Sequence, residues 1–167
     1  MSVYLEKGWI DVLQKQEEIL RYDKFDRDTA LELGLKIIDV ARNRFGERVA
    51  CRIVEDTTVV FSYKDTGTSL ENDWWMDRKL ATTRLTGMSS LAATVRAEYG
   101  LIEPEWKDRE DNFALCGGCI PVLMKNDQRT YAYVLVSALP HYQDHQVIAD
   151  AMAEQLQVEI PRITKSE

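Results

Sequence analysis

Apolar and polar positions along the chain alternate with two periods, and their order predicts the architecture. Leu5, Trp9, Val12, Leu13, Gln16 and Leu20 recur at helical spacing and predict a first helix. A charged turn, Asp23 to Asp28, leads into a second helix over about residues 29–45. Asp28 is the expected cap of that helix, Ala30, Gly34, Ile37, Ile38, Ala41 and Phe45 its buried stripe, and Gly46 its left-handed stop. Val49 to Glu55 and Thr58 to Tyr63 are β-branched and aromatic, and Glu55-Asp56-Thr57 between them predicts a hairpin. Thr68 with Glu71 reads as a capping box for a third helix reaching about Leu85, with Gly87 as its break. A shorter helix is expected from Ser89 or Ser90 to Tyr99, then a charged surface loop over 101–112. Strands follow near Ile120 to Met124 and Tyr131 to Ala138, joined by an Asn126-Asp127-Gln128 turn, and His141 to Gln157 closes the chain as a helix. Hairpin-linked strands with interspersed helices predict an α+β domain spanning 1–167, an antiparallel sheet of about five strands flanked by helices.

Composition narrows the function classes. The chain has 167 residues, 45% of them hydrophobic, and a net charge of −7. No stretch runs basic, so a nucleic-acid partner is not expected. The longest apolar run, Tyr131 to Val136, is far short of the ~18 residues that a membrane helix needs. The opening Met1-Ser2-Val3-Tyr4-Leu5-Glu6 lacks the basic start and apolar run of a signal peptide, and three cysteines fit a reducing compartment. A cytoplasmic protein is therefore expected.

Three features could carry chemistry. Cys116-Gly117-Gly118-Cys119 has redox spacing, yet a strand-like segment follows where a thiolate-stabilising helix is needed. Those cysteines with His141 and His145 form a candidate structural zinc set, although the separation of the pairs exceeds the finger spacing of about 12. His141 and His145 also continue the apolar stripe of Ile148 and Met152, which suits hydrogen-bonded core residues. The third helix carries Asn72-Asp73-Trp74-Trp75, then Arg78 and Lys79. Trp75, Arg78, Lys79 and Thr82 fall on neighbouring positions, an arrangement suited to a planar anion or a partner subunit. No Walker loop, dinucleotide fingerprint or hydrolase triad order is present, and no catalytic acid or base stands out.

The segments Asn72 to Lys79, Ser89-Ser90, Gly117-Gly118 and Asp144-His145 together resemble the haem-degrading-domain family of HbpS-like and GlcG-like proteins, in its UPF branch. The family turn reads Gly-Gly-Gly-x-Pro-Ile, so Cys119 stands where the third glycine would be. The resemblance implies a profilin- or PAS-like fold, a symmetric homo-oligomer and, in some members, haem binding or degradation. By that resemblance Asn72, Asp73, Trp75, Arg78, Lys79, Ser89, Ser90, Gly117, Gly118 and His145 are the expected ligand-binding residues. Arg78 and Lys79 would meet propionates, Trp75 would stack on the macrocycle, and His145 would be the axial ligand of a bound haem, with His141 second. The alternative is an oligomeric scaffold or chaperone-type interaction protein, with Trp75 and Arg78 as interface anchors.

Overall fold

The computed structural model describes residues 4–166, so Met1-Ser2-Val3 of the opening segment lie outside the described residues. Ten elements follow in the order α1 (Trp9–Ile19), β1 (Arg21–Tyr22), α2 (Arg27–Arg44), β2 (Ala50–Glu55), β3 (Thr58–Lys64), α3 (Leu70–Thr86), α4 (Ser90–Glu98), β4 (Cys119–Met124), β5 (Thr130–Ser137) and α5 (His141–Leu156). The fold is α+β, as the pattern predicts. The sheet order is β1-β4-β5-β2-β3; every pairing is antiparallel except the short β1–β4 pair, which makes the sheet mixed. Strand β1 lies just before the charged turn, where the residue pattern predicts no strand. Two residues are too few to show a period, and their pairing with Leu123 and Met124 is non-local.

Two helix starts differ from expectation. The cap of α2 is Asp26, not Asp28: it is extended, and its carboxylate accepts the Thr29 amide at 2.9 Å. Asp28 sits inside the first turn, where it still favours the helix dipole. The cap of α3 is Ser69, not Thr68; its hydroxyl accepts the Glu71 amide, and Asn72 reciprocates by accepting the Ser69 amide at 2.9 Å. Gly87 ends α3 at the expected break, in a left-handed conformation with φ +75°.

Alternation along the strands divides the core between the two sheet faces. Cys51, Ile53, Val122, Val134 and Val136 point to α2 and α5, with Leu33, Ile37, Val40, Ile148 and Met152 against them. Leu33 and Val40 thus join the α2 stripe, while Ile38 is only half-buried. Gly34 admits the Phe61 ring, which a Cβ would meet at 2.5 Å. On the other face Ala50, Val54, Cys119 and Leu135 pack under Met76 of α3. A satellite core of Trp9, Leu13, Leu91, Val95 and Ile163 joins α1, α4 and the C-terminal tail. These two helical layers leave the N-terminus of α5 between α3 and α4, where the candidate site forms.

Candidate functional site

Helix α3 places Arg78 one turn on from both Trp74 and Trp75, so its guanidinium meets both rings. The Arg78 guanidinium lies 4.3 Å from the Trp74 ring centroid and 4.4 Å from that of Trp75. Its Nε and Nη2 donate to the Phe113 carbonyl at 3.2 and 2.9 Å. One turn on, the Thr82 hydroxyl donates to the Ala114 carbonyl at 2.8 Å and accepts the Ala114 amide at 3.1 Å. Part of the polar stripe of α3 therefore fastens the segment before β4. Arg78 is 7% exposed, and among the described residues it has no carboxylate partner; only its Nε and Nη2 donate to a protein acceptor.

Lys79 is buried too, but it is neutralised. Its ammonium donates to Asp144 at 2.9 Å and to the Val136 carbonyl at 2.8 Å, and Asp144 also accepts the Leu139 amide at 2.9 Å. Burial raises the Asp144 carboxyl above its ordinary range, against the opposing pull of Lys79. The paired glycines make this ion pair possible. A Cβ on Gly118, where φ is +126°, would meet Lys79 Nζ at 2.5 Å and the Val136 carbonyl at 2.6 Å. A Cβ on Gly117 would meet the His141 carbonyl at 2.6 Å, and the Gly117 amide donates to His141 Nδ1 at 2.9 Å.

These groups border a groove of about 920 Å³, walled by Trp75, Arg78, Lys79, Cys116, His141 and Asp144. Trp106 and Phe113 line it from the 101–116 segment. That segment is more than a solvated loop, since Trp106 is 8% exposed and packs 6.2 Å from Phe113. Of the expected site residues, Asn72, Trp75, Arg78 and Lys79 share the groove, and Gly117 and Gly118 shape it. Asn72 is partly occupied as a capping residue and as a donor to Ser137 Oγ at 3.1 Å.

Four others lie elsewhere. Asp73 pairs with Arg52 and Lys64 of the sheet. Ser89 caps α4, and Ser90 Oγ accepts the Cys119 amide at 3.0 Å. His145 lines a separate cavity of about 270 Å³ bordered by α1 and α4. There its Nε2 meets Gln16 Oε1 at 2.8 Å, while Gln16 Nε2 donates to the Pro161 carbonyl and Gln146. That orientation puts the imidazole proton on Nε2 and leaves Nδ1 bare, buried and unpartnered. Burial pulls the His145 pKa down to about 3, and burial and then Lys79 pull His141 down to about 4.

The zinc set is not assembled. His145 faces a different cavity from Cys116 and His141, and no metal-holding group of three or more His, Cys, Asp or Glu occurs among the described residues. Cys119 opens β4 instead of a helix, and burial pushes its thiol up to about 12 and also raises that of Cys116. This environment disfavours the thiolate that dithiol chemistry needs.

The haem degrading protein HbpS-like family matches residues 25–153. The chain belongs to that family. A UPF0303 protein of Rhizobium rhizogenes is 33% identical over 157 residues, covering 90% of this chain and 93% of its own. Another from Psychromonas ingrahamii is 30% identical over 141 residues, covering 83% and 87%. Among solved structures, Ybr137w superposes with a TM-score of 0.80 at 23% identity over 92% of each chain. HbpS superposes with 0.62 at 17% identity, over 84% of this chain and 95% of its own. The PduOC:heme complex superposes with 0.60 at 15%, over 81% and 97%. At these identities the structures show the HbpS-like fold.

Trp106 and the Phe113 carbonyl are groove components that residue patterns did not single out, and the Lys79–Asp144 partnership has no local signal, because the two residues lie on different helices.

Proposed function

We propose that the groove beside α3 binds a small, largely apolar anion, with a tetrapyrrole the occupant that family membership suggests. The observation that carries this reading is Arg78, a buried cation without a carboxylate partner among the described residues. Burying an unneutralised charge is costly. The two indole faces and the Phe113 carbonyl offset part of that cost, and a ligand carboxylate at Nη1 supplies a charge-assisted bond in a pre-set plane. Trp75, Trp106 and Phe113 offer aromatic surface to the rest of the molecule. The family description and a fold neighbour solved with haem support a tetrapyrrole in particular. Titration with haemin or protoporphyrin IX should quench the tryptophan fluorescence saturably. Absence of saturable quenching with both would overturn the reading.

A homo-oligomer is a second proposal, carried by the sheet edge. Strand β3 ends the sheet with Val59 and Tyr63 52% and 42% exposed, and α2 presents Leu31 and Leu35 at 51% and 57%. Light scattering should show a multiple of the chain mass that Val59→Lys with Leu35→Glu reduces; a monomeric wild type contradicts it.

A further inference from the structure

Resting on the groove reading, we infer that the occupant is a planar acid held by its carboxylate and ring faces, without coordination of iron by a histidine of this chain. Haem is the group the family implies, and the two histidines do not fit it as axial ligands. His145 is outside the groove, with Nε2 committed to Gln16 and Nδ1 enclosed. His141 lines the groove, but its Nδ1 accepts the Gly117 amide, so the neutral ring carries its proton on Nε2. Coordination through Nε2 would move that proton to Nδ1 and set two N–H donors against each other across 2.9 Å. A metal-ligating histidine normally has the opposite arrangement, its second nitrogen donating to an acceptor. Lys79 is held by Asp144 and Val136, and burial keeps the Cys116 thiol protonated.

What remains for recognition is Arg78. The other charged side chains around the groove include Glu71, Glu98, Glu103 and Glu110 against Lys107, so attraction for an anion is concentrated at the guanidinium. The ligand class is therefore a flat apolar body bearing at least one carboxylate, with or without a metal at its centre.

The test compares three probes on the wild-type protein: haemin, metal-free protoporphyrin IX and protoporphyrin IX dimethyl ester, followed by tryptophan quenching. Haemin and the metal-free acid should bind within about threefold of each other, and the ester at least tenfold more weakly, as the loss of a charge-assisted bond requires. Cys116→Ser and His145→Gln should leave the absorption spectrum of bound haemin unchanged. Haemin binding more than tenfold tighter than the metal-free acid, with a spectrum altered in His141→Ala or Cys116→Ser, overturns the inference but leaves the groove reading standing. Equal binding of acid and ester overturns the carboxylate recognition. Failure of all three probes to bind removes the groove reading and the inference together.

Discussion

The Arg78 corner and the Lys79 corner of the groove are supplied by adjacent residues of one helix, and they handle positive charge in opposite ways. Lys79 is 2% exposed and meets the carboxylate of Asp144 at 2.9 Å; its charge is spent inside the protein. Arg78 is 7% exposed, held between two indoles and a carbonyl, and has no such partner among the described residues. The first corner joins α3 to the N-terminus of α5; the second holds a charge in readiness. The comparison teaches that exposure alone does not separate a structural cation from a recognising one. The presence of a counter-charge does.

The largest expected effect is at the paired corner. Lys79→Met leaves Asp144 buried and unpaired, and should cost about 3–5 kcal/mol in urea unfolding, most of it recovered in Lys79→Met with Asp144→Leu. A single-variant cost below about 1 kcal/mol would break the comparison, since exposed pairs contribute no more than that. Gly118→Ala should cost on the order of 2 kcal/mol, from a Cβ against Lys79 Nζ and from its positive φ.

Acid titration sharpens the contrast further. His145 and His141 are depressed to about 3 and about 4, so the stability they contribute is complete above 6.5 and is lost as pH falls towards those values. Asp144, raised by burial against the pull of Lys79, has the opposite sign: its contribution is present below 3.8 and is lost as pH rises through its raised value. Between pH 6 and 5 the two histidines outweigh the one carboxyl, so the unfolding free energy should fall on acidification. His145→Gln should flatten that slope, and a variant that keeps the wild-type slope would show that His145 is not held neutral. The smallest effect is expected at Asp73, which is partly exposed between Arg52 and Lys64; Asp73→Asn should cost about 1 kcal/mol or less and leave ligand affinity unchanged.

Much of this fold was legible because its elements are periodic and local. Helix α2, the β2–β3 hairpin and α5 follow from spacing and turn residues alone. The caps shifted by one or two residues, because Asp26 and Asp28, or Thr68 and Ser69, are chemically interchangeable until backbone geometry selects one. The third helix was a sound pointer to the groove. Its individual roles were not, because they depend on what arrives from elsewhere in the chain: a carboxylate for Lys79, a carbonyl for Arg78 and basic strand residues for Asp73. Adjacent residues on α5 likewise diverge, Asp144 lining the groove and His145 the smaller cavity, as the helical angle between successive residues requires.

The most direct test of the central claim is the affinity of Arg78→Gln for protoporphyrin IX beside that of the wild type, with circular dichroism confirming that both are folded. The unpaired-cation account predicts at least a tenfold loss with the fold retained. A folded variant that binds protoporphyrin IX as tightly as the wild type would contradict it.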